Sequence, residues 1–183
     1  MIDLNQHRIK IYEPFAEFLL GADEEINFEL SLLDTVRLSG HACPSIVGAF
    51  FLCQEAIRDL FPHDQICRRG EVKIYHSRRM GEGPTGPISN VFGYIMGGWG
   101  ETGFPGLGEK FSRKGLQEFG CKDIPPNHFL FEHLPSGRKS FLEYDLSELK
   151  KRLPPVDEFQ QSWRHLISLV ASETSAAIKR KAL

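Results

Sequence analysis

Two residues in the stretch RLSGHACPSIVG, His41 and Cys43, have side chains whose types and spacing could do chemistry together. In an extended loop, residues i and i+2 point to one side, close enough to share one ion. Cys43 also precedes Pro44 at the expected start of an apolar helix, where unpaired N–H groups and the helix dipole favour a thiolate. A thiolate serves a metal site, or a nucleophile with His41 as neighbouring base. The plainer alternative is a buried cysteine beside a loop histidine bonded to backbone. A metal needs further donors, and His76, at the end of an expected strand, is the third candidate ligand. Nitrogen and sulfur donors of this kind favour zinc.

Other signals are weaker. Gly98, Gly100 and Gly103 spell GxGxxG, but a short helix is expected before them and a proline with two more glycines follows. A dinucleotide-binding turn needs a strand before and a helix after. The glycines instead let backbone pass close to a ligand, a metal site or a second copy of the chain. Arg78 and Arg79, just upstream, could meet an anionic ligand there, against the plainer reading of solvated surface. Cys53 falls on the apolar side of a helix, while Cys67 and Cys121 have no ligand-spaced partner. His128 and His133 fit hairpin positions. No GxSxG, HExxH, P-loop or EF-hand pattern occurs.

Composition bounds the rest. The 183 residues are 41% hydrophobic and 25% charged, with a net charge of −2. That is the make-up of one well-buried globular domain, with no basic field to draw nucleic acid or an anionic membrane. No run of about 20 apolar residues marks a membrane span. The start lacks the apolar core of a signal peptide, so a cytoplasmic protein with free thiols is expected.

The elements that must position these residues read as α+β: a mixed sheet with flanking helices plus a C-terminal amphipathic helix. Residues 11–36 suggest two short helices split near Gly21. From Pro44, one polar stripe (Gln54, Glu55, Arg58, Asp59) on an otherwise apolar segment marks a mostly buried helix. EVKIYH alternates as a strand, ISNVFGYIMGG forms a short helix, and the runs around the Pro135–Gly137 turn form a β-hairpin. Phe159, Trp163, Leu166, Ile167 and Val170 repeat at helical spacing over residues 156–178, with basic residues at the favoured C-terminal end. Residues 1–153 make the domain. Residues 154–183 are a helical extension, packed on it or on a partner chain.

SGHACPS, the strand, helix and glycine-rich turn after it, and the closing hairpin occur in an order that resembles the FmdE-like family, named for a component of formylmethanofuran dehydrogenase. The likeness spans roughly residues 35–150. It implies an α+β core, a zinc site using His41 and Cys43 and a homodimer, without a settled reaction; an open coordination position beside the glycine-rich segment would make this a small-molecule-binding or catalytic site. Ser39 stands where the family often has a second histidine. SRRMGEGPTGP lacks the family's cysteine between two aspartates, and its zinc ribbon is replaced by the helix after Pro155. His76 is therefore the residue expected to complete the ligand set. A metal-free thiol enzyme and a non-catalytic component of a larger complex are the rival expectations.

Overall fold

Ile9 and Ile11 alternate with Arg8 and Lys10, and this period-two pattern forms the first strand, β1 (Arg8–Tyr12). The computed structural model describes residues 2–62, 65–108, 110–155 and 159–183. Helix α1 (Pro14–Leu20) starts with proline in its first turn and the Glu13 carboxylate accepting from the Phe15 N–H; it stops at Gly21, whose φ of 59° is left-handed. The next segment is a strand, β2 (Asn27–Ser31), where the sequence predicts a second short helix. It pairs antiparallel with β1, placing Phe28 opposite Ile11 and Leu30 opposite Ile9. A five-residue run satisfies either period, and the cross-strand partners decide it. Ser31 and Asp34 then form a capping box that opens α2 (Leu32–Ser39).

Helix α3 (Pro44–Leu60) is the centre of the fold, buried along one unbroken stretch from Ile46 to Cys53. After it come β3 (Cys67–Arg68), β4 (Val72–His76), α4 (Thr85–Met96) and β5 (Gln117–Phe119). The expected hairpin is β6 (His128–His133) and β7 (Arg138–Tyr144). The chain continues through α5 (Ser147–Lys151), α6 (Phe159–Ser172), α7 (Thr174–Ala177) and β8 (Ile178–Arg180).

The strands make two sheets, β2-β1-β3 and β5-β4-β6-β7-β8. In the larger one β4 and β5 run parallel and the other neighbours antiparallel, so the sheet is mixed. Helix α3 packs on β7 and also contacts α4 and α6, which completes an α+β fold of sheets and flanking helices. Phe50, Phe92 and Phe131 are fully buried between these layers, each worth roughly 1.5–3 kcal/mol.

The C-terminal helix is shorter than its periodicity predicts. Its expected first turn, residues 156–158, lies outside the described residues, and the helical run ends at Ser172. Leu166, Ile167 and Val170 are buried, whereas Phe159 is 68% exposed. The basic end is β8, not helix. Arg180 pairs with Glu55 (2.7 Å) and Asp59 (2.8 Å) on the polar stripe of α3. Two specific ion pairs and a strand edge outweigh a dipole interaction worth a few tenths of a kcal/mol.

The glycine-rich segment serves the chain's own close contacts. A Cβ on Gly98 would lie 2.8 Å from Leu116 Cβ, and one on Gly103 would lie 2.4 Å from the Arg113 carbonyl oxygen. Nearby, the buried Glu13 carboxylate bridges Arg69 (2.8 Å) and Arg113 (2.5 Å), fastening this segment to the end of β1.

Where α3 meets the end of β7, Gly48 lies flat against Tyr144, whose hydroxyl donates to the Pro44 carbonyl at 2.6 Å. A Cβ at position 48 would sit 2.2 Å from the tyrosine ring. Gly48→Ala is expected to cost about 1–3 kcal/mol by overpacking, measured by urea denaturation.

Candidate functional site

Period-two alternation puts Val72, Ile74 and His76 on the buried face of β4. The His76 ring stacks on Phe119 at 4.6 Å and meets Phe129 edge-on at 5.7 Å, with no exposed surface. One polar contact holds it: Nε2 lies 2.8 Å from Oε1 of Gln117. The amide of Gln117 cannot be turned around, because its Nε2 already donates to two backbone carbonyls, Ser89 at 2.9 Å and Gly98 at 2.8 Å. The amide oxygen therefore faces His76, and His76 Nε2 must carry the hydrogen. That leaves Nδ1 as a bare acceptor, buried and without a partner. Burial lowers the His76 pKa to about 4, against a smaller opposing effect of the Gln117 hydrogen bond, so the ring is neutral at neutral pH.

His76 borders a cavity of about 270 Å³ on the helix side of the large sheet. The first turns of two helices meet there, with Ser45 from α3 and Thr85 from α4. No side chain caps α3, and its hydrogen-bond ladder begins at the Val47 N–H, so the Ser45 and Ile46 N–H groups are left at its positive end. Arg78 and Lys150 supply positive charge to the wall, and Asp145 supplies one negative charge. The Asp145 carboxylate is occupied, accepting from the Ser147 hydroxyl at 2.6 Å and the Ser147 N–H at 2.9 Å. These bonds hold its pKa below the usual carboxylate range. Arg78 reaches only the Asn127 amide oxygen, at 3.3 Å, and no carboxylate among the described residues pairs with Arg78 or Lys150.

The Gly-His-Ala-Cys-Pro loop lies beside this cavity, since Ser45 is two residues past Cys43. His41 is exposed, its Nδ1 2.9 Å from the Ser39 carbonyl oxygen. Cys43 is 6% exposed and occupies the N-cap of α3 in extended backbone, without a side-chain capping bond. No hydrogen bond joins the two side chains among the described residues, so the nucleophile–base pairing is not assembled. His41, Cys43 and His76 are not gathered either. Among the described residues no three His, Cys, Asp or Glu side chains form a group that could hold a metal ion. A zinc centre wants three or four protein donors, and His41 and Cys43 by themselves supply two.

Arg78 is the one cavity cation the sequence pointed to. Gln117, Asp145 and Lys150 carry no spacing signal, since each is one polar residue among several in its segment. Comparison with protein-family models, curated proteins and solved structures finds no match for this chain. No helix of the described residues is long and apolar enough to cross a membrane.

Two measurements follow from this geometry. A histidine with a folded pKa of about 4, against about 6.5 when unfolded, takes up its proton more readily in the unfolded chain. Stability is then fully present above about pH 6.5 and lost as pH falls toward 4, by roughly 3 kcal/mol in all. Urea denaturation across this range is expected to show that slope, and His76→Phe to flatten it. Two loop donors would hold zinc weakly, so dialysis against EDTA is expected to leave the thermal midpoint unchanged. A fall that zinc restores in the wild type but not in Cys43→Ala would put a structural metal on the loop.

Proposed function

We propose that this chain binds a small organic anion in the cavity beside the Gly-His-Ala-Cys-Pro loop. The observation that carries the reading is a cavity wall holding Arg78 and Lys150 with no carboxylate among the described residues paired to either. Asp145 is already engaged by Ser147, and His76 is neutral. The wall therefore carries a net charge of about +1 by formal charge counting, and the N-terminus of α3 adds N–H groups of the same polarity. An arginine fork suits the planar, bidentate geometry of a carboxylate, and a lysine adds a point charge.

The resemblance to FmdE-like proteins supports a chain that acts as a homodimer. A form in which zinc on His41 and Cys43 joins the ligand belongs to the same reading. Light scattering reads the dimer directly.

Isothermal titration of the full chain with small carboxylates and with inorganic phosphate tests the anion site. Binding is expected to weaken about tenfold or more in Lys150→Ala and in Arg78→Ala, as for loss of one charge-assisted contact. Both side chains are exposed, so the variants should unfold like the wild type. Absence of binding by every anion, or binding that neither substitution changes, would overturn the proposal.

A further inference from the structure

His76 lies in the wall of this cavity, and its ring nitrogen Nδ1 can accept a hydrogen bond but not donate one. Gln117 fixes that property, because its amide is anchored on the Ser89 and Gly98 carbonyls and leaves only an oxygen for His76. With the hydrogen on Nε2, the lone pair on Nδ1 is left in an aromatic wall without a donor. A buried acceptor in that condition is costly and is found in native proteins with a donor supplied from somewhere. Of the four hydroxyls in the cavity wall, that of Thr85 donates to the Glu82 carbonyl at 2.7 Å and that of Tyr144 to the Pro44 carbonyl at 2.6 Å, while those of Ser45 and Ser77 make no bond to His76.

We infer that the ligand is a small hydroxy acid, whose carboxylate meets Arg78 and Lys150 while its hydroxyl donates to His76 Nδ1. This rests on the anion reading of the cavity and adds the second group that the ligand must carry. An ammonium group could also donate, but it would face two cations across the same small space. A hydroxyl donates without that repulsion. The volume fits a molecule of this size: about 270 Å³ corresponds to the liquid volume of about nine waters. That is slightly below the range of drug-sized pockets.

The inference separates three probes of similar shape. Lactate carries both groups, propionate lacks the hydroxyl, and 2-methoxypropionate keeps the oxygen but cannot donate. Titrated into the full chain at pH 7, lactate is expected to bind about tenfold more tightly than either of the others, because only lactate satisfies the buried acceptor. The ¹⁵N resonance of His76 Nδ1 is expected to shift with lactate and to stay in place with 2-methoxypropionate. In His76→Phe, which replaces one ring by another among Phe92, Phe119 and Phe129, the advantage of lactate should vanish. Equal affinities for all three probes in the wild type, with Nδ1 unmoved, would overturn the hydroxyl contact and leave the anion site standing. Failure of all three carboxylates to bind would remove the anion reading with it. The wild-type comparison decides the matter whether or not the variant folds.

Discussion

A helix that is apolar on every side but one narrow stripe has to be enclosed, and α3 imposes that demand on the elements around it. The large sheet takes one side through β7, while α4 and α6 take others. The stripe itself is closed by ionic contacts, since Arg180 spans Glu55 and Asp59, and Ser140 donates to Asp59 at 2.6 Å. Partly buried pairs of this kind lose less to solvent screening than pairs on an open surface. The helix start is held as firmly, with Tyr144 pressed on Gly48 and bonded to the Pro44 carbonyl. The first turn of α3 is thereby fixed beside the cavity, where Ser45 lies.

The same enclosure explains why the polar residues inside matter. Gln117 is 5% exposed and its side chain makes three hydrogen bonds, to one helix carbonyl, one turn carbonyl and one imidazole. In a low-dielectric interior a satisfied network of that kind holds its members in one arrangement. Each bond also sets the next: two carbonyls orient the amide, and the amide sets the tautomer of His76. The protonation state of a ring at the end of β4 is thus decided by backbone groups in α4 and in the glycine-rich turn. The glycines contribute by letting the backbone at Gly98 and Gly103 pass close against Leu116 and Arg113.

Much of the framework was legible in the sequence because it rests on periodicity and on turn residues. Helix α3 showed its single polar stripe and its proline, and the β6–β7 hairpin showed two alternating runs around a polar turn. Strand β2 was not legible, because Asn-Phe-Glu-Leu-Ser is compatible with a helix until β1 pairs with it. Strand β8 was hidden for a related reason. Ile178 to Arg180 follow directly on the helical residues Thr174–Ala177, and the open edge of β7 with the acidic stripe of α3 holds them as a strand. The site was less legible than the fold. His76 was marked by its position at a strand end, but its partner Gln117 sits in Lys-Gly-Leu-Gln-Glu-Phe, where nothing shows which polar residue turns inward. Arg78 stood out beside the glycines, while Lys150 is one of two lysines on a short helix.

The pairing of Arg180 with Glu55 joins residues 125 positions apart in the chain. During synthesis α3 emerges long before the strand that closes its stripe, so for that interval Glu55 and Asp59 lack their Arg180 partner. Contacts of such long separation are slow to form because the loop entropy is lost before they reward it. The order of events is then constrained: the hairpin can dock on α3 early, whereas the edge of β7 stays open until residues 178–180 arrive. An open strand edge is a template for another chain. Strand β8 thus ends a period in which the nascent chain is most exposed to pairing with a neighbour.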